Sequence, residues 1–184
     1  MHIKERLRKK YFSIRKKKYF DIDLRFFNSL IKLLKKRYKK KSINLSFYYP
    51  SSYELNVLKI LDIENINRMK TYLPVIQEKN SMHFYRWSRN NVLRINKFGL
   101  LEPAEKKIYI IPNVMLVPLL AYDNKKNRLG YGKGFYDRYL AKYLKEYKNI
   151  TTIGIAFSFQ KHHKLPVSTT DIKLDYIMTE RGIF

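Results

Sequence analysis

The chain has 184 residues, 45% hydrophobic and 29% charged, with 39 basic against 15 acidic side chains and a net charge of +24. Length and composition fit one domain with a core of ordinary size and exclude a disordered chain. Cysteine is absent and the four histidines are poorly spaced, which excludes disulfides, a thiol nucleophile and a structural zinc site.

The charge is uneven, because residues 1–41 hold 17 basic and only 3 acidic side chains. They read as two basic helices. Ile3, Leu7, Tyr11 and Ile14 share one helical face; Leu24, Phe27, Leu30, Ile31 and Leu34 share another. Asp21 and Asp23 stand where N-caps are wanted. Ile43 to Tyr49 follows as a short strand, ended by a Pro50-Ser51-Ser52 turn. Ser51 or Ser52 is then expected to cap a helix over 53–70. Tyr72 to Ile76 and Met82 to Trp87 read as strands, 88–107 as irregular, and Ile108 to Val117 as one or two buried strands. Residues 118–129 read as a loop and Phe135 to Lys148 as a helix. Thr151 to Phe157 and Tyr176 to Thr179 read as the last strands.

Strands alternating with helices predict an α/β fold: one domain over 1–184, three-layer α/β/α, with a mostly parallel central sheet and Rossmann-like topology. Ligands of such sheets bind beyond the strand carboxyl ends, where the 118–134 segment falls. The longest apolar run, Ile108 to Tyr122, is broken by Pro112, Asn113 and Pro118, short of the roughly 20 apolar residues of a spanning helix. The lysine-rich start has no apolar leader region. A cytoplasmic protein without a membrane partner is expected.

Three of the six glycines, Gly130, Gly132 and Gly134, lie within five positions, in the segment Arg128-Leu129-Gly130-Tyr131-Gly132-Lys133-Gly134-Phe135-Tyr136-Asp137. Glycines let backbone N–H groups approach phosphate oxygens, and the positive end of a following helix adds to the field. Arg128 and Lys133 add full charges. Asp137, in the first helical turn, suits a nucleotide-borne Mg²⁺. A P-loop is a poor match, because Phe135 follows Gly134. So is a Rossmann fingerprint, because no strand directly precedes Gly130 and no acid ends a strand about 20 residues on. The bland alternative is a glycine turn that only starts a helix.

Arg128 to Leu140 resembles the signature of the 5-formyltetrahydrofolate cyclo-ligase family, also called methenyltetrahydrofolate synthetases. Supporting segments follow in order: Lys4-Glu5-Arg6-Leu7-Arg8, Pro74-Val75 with Met82 to Trp87, Phe98-Gly99-Leu100-Leu101-Glu102-Pro103, and Asp171 to Asp175. The chain departs from the family pattern at Leu119, where glycine is usual after Val-Pro, and at Thr169-Thr170.

The resemblance implies conversion of 5-formyltetrahydrofolate to 5,10-methenyltetrahydrofolate with ATP and Mg²⁺. The formyl oxygen takes the γ-phosphoryl group, the neighbouring folate nitrogen attacks the activated carbon, and phosphate leaves. By the same resemblance Lys4 and Arg8 reach ATP from the first helix. Arg128, Leu129, Gly130, Tyr131, Gly132, Lys133, Gly134, Phe135 and Tyr136 wrap its phosphates, with Arg128 and Lys133 as the catalytic cations. Asp137 and Asp171 hold Mg²⁺, while Tyr49, Glu54, Met82 and Trp87 contact the folate, with Phe84 beside them on the cleft. A monomer is usual for such enzymes. Two alternatives stand beside this reading. One is an RNA-binding protein, resting on the basic helices and interleaved tyrosines; it predicts steep salt dependence and leaves the glycine cluster without a role. The other is a relative with the same loop and a different substrate.

Overall fold

The computed structural model describes residues 3–39, 41–63, 69–78 and 81–184. Helix α1 spans Ile3–Lys18 and α2 spans Asn28–Tyr38, the latter entered through a 3₁₀ turn, Leu24–Phe27. Asp23 caps that turn, its Oδ1 accepting from the Arg25 N–H at 2.9 Å. Strands β1 (Ile43–Ser46), β2 (Met69–Ile76) and β3 (Met82–Arg86) follow, then a hairpin of β4 (Leu93–Ile95) and β5 (Leu101–Pro103). After β6 (Tyr109–Ile110) and β7 (Val114–Pro118) comes a second hairpin, β8 (Ala121–Tyr122) and β9 (Arg128–Leu129). Helix α3 (Phe135–Glu146), β10 (Thr151–Ile155), β11 (Tyr176–Thr179) and β12 (Gly182–Ile183) complete the series.

Eight strands form one sheet in the order β12-β11-β10-β7-β1-β2-β3-β6. The inner five, β11 to β2, are mutually parallel; β12 and β3 pair antiparallel with the two sides of this block, and β6 pairs antiparallel with β3. Counted along the chain, the parallel strands lie in the order 2-1-3-4-5, so the winding reverses between β1 and β7. Alternation along β7 divides the core. Val114 and Leu116 face Phe27, Leu30 and Leu34, whereas Met115 and Val117 face Tyr139 and Leu140 of α3. The expected three-layer arrangement is therefore present. Helix α1 belongs to neither layer. Its Leu7 and Tyr11 pack on Leu120, Ala121, Leu129 and Leu165, across the carboxyl end of the sheet. Among the described residues no helix is long and apolar enough to cross a membrane.

Four local expectations are corrected. A helix over 53–70 is not formed: a 3₁₀ segment covers Val57–Asp62 and β2 begins at Met69, while 64–68 lie outside the described residues. Ser52 and Tyr53 turn left-handed, with φ of 50° and 63°, and the Asn56 side chain starts a separate turn by accepting from the Leu58 N–H. Residues 88–107 are not wholly irregular, since they hold the β4–β5 hairpin. Its strands are too short for periodicity to show. They are pinned by buried Glu102, which accepts from Arg94 at 2.8 Å and Asn96 at 3.2 Å. The 118–129 loop contains the β8–β9 hairpin. The strand at Tyr109 is an exposed sheet edge rather than a buried strand.

Gly154 on β10 shows how tightly the α3 side of the sheet is filled. A Cβ there would stand 2.7 Å from Ile177 and Leu119 and 2.8 Å from Leu174. Gly154→Ala is expected to lower stability by about 1–3 kcal/mol through overpacking, read from a urea titration with an unchanged slope.

Candidate active site

A cleft of about 1260 Å³ opens at the carboxyl ends of β1 and β7, where the strand order reverses. Tyr48 and Tyr49 follow β1 into one wall, Pro118 ends β7 at its floor, and the glycine segment forms the opposite wall. The tight β8–β9 hairpin delivers Arg128 and Leu129 to that wall. Gly134, at φ 66°, then turns the chain into α3.

Arg128 is buried along its length, its side chain 4% exposed. Its Nη2 donates to Asp137 Oδ1 at 2.7 Å, and its guanidinium lies 5.8 Å from the centre of the Tyr136 ring. Its Nε and the Tyr136 hydroxyl are buried with no hydrogen-bond partner among the described residues. Unused buried donors of this kind mark where a ligand's acceptors belong. Burial and the nearby Glu54 carboxylate push the Tyr136 hydroxyl well above its ordinary pKa, so it stays a donor. Lys133 is exposed at the cleft mouth, with its Nζ 5.9 Å from the Phe98 ring.

Helix α1 supplies the cations on the other side of the glycine loop. Arg8 Nε donates to the Gly130 carbonyl at 2.9 Å, and Lys4 Nζ meets Asp171 Oδ2 at 2.5 Å. Burial alone would raise the Asp171 carboxyl; Lys4 and the Ser168 N–H outweigh it and hold the carboxyl below the usual range. Asp137 and Asp171 are linked through one loop, since the Ile172 N–H donates to Asp137 Oδ1 at 3.1 Å. Among the described residues no three His, Cys, Asp or Glu side chains gather as a metal cage. Asp137 and Asp171 nonetheless both line the cleft, and Mg²⁺ takes one or two carboxylates and completes its shell with phosphate oxygens and water.

The cleft also has an apolar lining. Pro74, Ile76, Met82, Phe98, Leu100 and Leu101 contribute to it, together with Tyr49 and Glu54. Glu54 Oε1 accepts from the Tyr131 hydroxyl at 2.5 Å and Oε2 from the Ser51 N–H at 2.9 Å. Burial raises the Glu54 carboxyl pKa, opposed by those bonds and by the charge of Arg15. Trp87 is not on the cleft. It is 4% exposed and packs edge-on against Phe47 and Tyr49, behind the wall. Its offset from Met82 is odd, and side chains at odd offsets along an extended chain point to opposite faces. Phe84 shares the Met82 face but lies deeper, against Tyr136 and Tyr139.

Sequence reasoning overlooked Arg15 and Asp123, each a charge within a polar run, and gave no role to the hairpin residues Asn96, Phe98, Leu100 and Leu101. Arg15 continues the four-residue spacing of Leu7 and Tyr11, which is the signal that marks its position; the burial of Asp123 has no periodic signal, because it lies in a short hairpin turn.

Fold and cleft together define a doubly wound α/β protein with a glycine loop flanked by cations at its switch point. The sequence pattern of the 5-formyltetrahydrofolate cyclo-ligase family matches residues 1–180. The 5-formyltetrahydrofolate cyclo-ligase of Haemophilus influenzae is 28% identical over 142 residues, covering 74% of this chain and 75% of the relative. A probable 5-formyltetrahydrofolate cyclo-ligase of Schizosaccharomyces pombe is 30% identical over 144 residues, 71% of each chain. The solution structure of Aquifex aeolicus 5,10-methenyltetrahydrofolate synthetase superposes with a TM-score of 0.71 at 30% identity, covering 99% of this chain and 92% of that one. The chain belongs to the 5-formyltetrahydrofolate cyclo-ligase family, and so to the ligases.

Proposed function

We propose that this protein converts 5-formyltetrahydrofolate to 5,10-methenyltetrahydrofolate, with ATP going to ADP and phosphate, as a Mg²⁺-dependent cytoplasmic monomer. The observation that carries the reading is one cleft with two unlike linings: a cationic glycine loop with unused buried donors, and apolar side chains beside a buried carboxylate. The first suits polyphosphate and the second a flat, partly polar ring system.

Within that reading Arg8 and Lys4 fix the nucleotide from α1, and the backbone of Gly130 to Gly134 approaches the phosphates. Arg128, already oriented by Asp137, meets the negative charge that grows on the transferred group and need not reorganise to do so. Glu54 accepts from the pterin's donor edge beside Tyr49, while Met82 forms part of the apolar wall that excludes water. Mg²⁺ held by Asp137 and Asp171 would neutralise phosphate charge during transfer.

The direct test mixes purified protein with 5-formyltetrahydrofolate and Mg-ATP and follows the near-ultraviolet band of the methenyl product. Growth of that band only with ATP supports the reading. A flat trace with ATP bound would assign another substrate, and no ATP binding at all would remove the nucleotide from the account. Gly132 gives a second test. Its φ is 98°, and a Cβ would stand 3.2 Å from Arg8 Cζ. Gly132→Ala is expected to raise KM for ATP about tenfold, the scale of a residue forced into positive φ, with the folate KM moving less.

A further inference from the structure

Arg15 is buried more completely than any charge in the cleft, at 2% exposure, yet it does not line the cleft. Among the described residues no carboxylate stands within ion-pair distance of it. Its Nη1 donates to the Leu119 carbonyl at 3.3 Å, just beyond β7, and its Nη2 to the Ser52 carbonyl at 2.8 Å. Its guanidinium also lies 5.5 Å from the centre of the Tyr131 ring. The Glu54 carboxylate feels its charge without forming an ion pair, and its Nε has no hydrogen-bond partner among the described residues. Burying a guanidinium whose direct hydrogen-bond partners are neutral is expensive, and an apolar side chain of similar volume would fill the space at lower cost. The position therefore calls for something only a forked cation supplies.

What Arg15 supplies is a closed ring of contacts. The Ser52 carbonyl belongs to a turn whose two central residues, Ser52 and Tyr53, are both left-handed without being glycine. Such a turn persists only when its surroundings hold it. Arg15 holds one side; Glu54 holds the other by accepting from the Ser51 N–H. Glu54 is then joined to Tyr131 of the glycine loop, whose ring rests on Arg15. The folate-side turn and the nucleotide loop touch each other and lean on one guanidinium.

We infer that Arg15 is a positioning residue that ties the Ser51–Glu54 turn to the glycine loop, so that a ligand on either lining of the cleft tightens binding on the other. The inference rests on the nucleotide and folate reading of the two linings. A ligand that fixes the Gly130–Gly134 backbone fixes Tyr131 and, through its hydroxyl, Glu54. A folate on Glu54 fixes the loop in return. The two effects must be equal, because coupling between binding sites is reciprocal.

The test is calorimetric titration of the full chain in Mg²⁺ with the non-hydrolysable β,γ-imido analogue of ATP. It is run with and without saturating 5-formyltetrahydrofolate, and then with the roles exchanged. In the unaltered protein each ligand is expected to tighten the other by the same factor, about fivefold or more. Arg15→Met should bring that factor close to one while each ligand still binds alone. Arg15→Lys, which keeps a charge and a donor but not the fork, should restore part of it. A merely structural loss would weaken both ligands and leave their ratio unchanged. If Arg15→Met does not fold, Tyr131→Phe removes only the hydroxyl link to Glu54 and must lower the factor by itself. Independent binding of the two ligands in the unaltered protein would overturn the inference. So would an undiminished factor in both Tyr131→Phe and a folded Arg15 variant. Binding of the nucleotide analogue with no folate binding at all would instead sink the substrate assignment, and the coupling with it.

Discussion

Arg128→Ala is expected to lower kcat about 10²–10³-fold, the scale of losing one preorganised donor to a charge that develops in the transition state, with a much smaller change in KM for either substrate. The side chain is nearly buried and locked to Asp137 at 2.7 Å, and its Nε has no partner among the described residues. On the proposed reading, its donors are aimed before the nucleotide arrives. Arg128→Lys is expected to recover little, because one ammonium cannot both satisfy Asp137 and present a second donor. Lys133 provides the comparison. It is exposed at the mouth, and solvent screens its charge, so Lys133→Ala should cost about tenfold or less on the same donor scale. The absorbance assay of the methenyl product reads both. An Arg128→Ala enzyme within tenfold of the unaltered kcat would remove Arg128 from the catalytic account.

Asp123→Ala is expected to destabilise the protein by about 2–3 kcal/mol, because removing the acceptor orphans one buried donor, at roughly 1–3 kcal/mol, and three part-buried ones that water can partly satisfy. Asp123 is 2% exposed and lies inside the β8–β9 hairpin. It accepts from the N–H groups of Lys125 (2.9 Å), Asn127 (3.1 Å) and Leu165 (3.2 Å) and from the Asn127 side-chain amide (3.0 Å). It thereby shapes the turn that delivers Arg128 and ties it to the segment that carries Asp171. Burial alone would raise its carboxyl, but the donors of Asn127, Leu165 and Lys125 outweigh burial and hold it below the usual range. A carboxyl lowered in the folded state adds stability that is present above its unfolded pKa and is lost as pH falls through the folded value. Urea midpoints measured from pH 6 downward should therefore fall less steeply in Asp123→Asn than in the unaltered protein. Parallel slopes would show that the carboxylate charge has no part in holding the hairpin.

These two residues mark the boundary of what could be read in advance. The Arg128 segment announces itself, because clustered glycines beside cations have few uses, and the helix after Gly134 begins where expected. The three-layer order likewise follows from strands and helices long enough to carry a period. Asp123 carries no such mark; it is one polar letter among others, and its importance comes from burial created by distant residues, whereas Arg15 is marked only by its place four residues after Tyr11 on the buried face of α1. Trp87 was placed on the cleft with Met82 because aromatic residues suit a folate pocket, yet the parity of the strand sends it to the other face. The helix expected over 53–70 failed for a local reason. Glu54 reaches back to the Ser51 N–H, and Asn56 starts a new turn three residues after the left-handed Tyr53.

The placement of α1 has a bearing on how the polypeptide is made. Apart from Ser52 for Arg15, the partners of its site-facing side chains are synthesised much later: Leu119 for Arg15, Gly130 for Arg8, Lys161 and His162 for Tyr11, and Asp171 for Lys4. At about 5–20 residues per second, the ribosome keeps Lys4 waiting on the order of ten to thirty seconds for Asp171. Until Leu120, Ala121, Leu129 and Leu165 have been made, Leu7 and Tyr11 lack the side chains that cover them. A nascent chain that stops short of Asp171 already holds the whole glycine segment but not the Lys4–Asp171 pair that joins the first helix to the 161–175 segment.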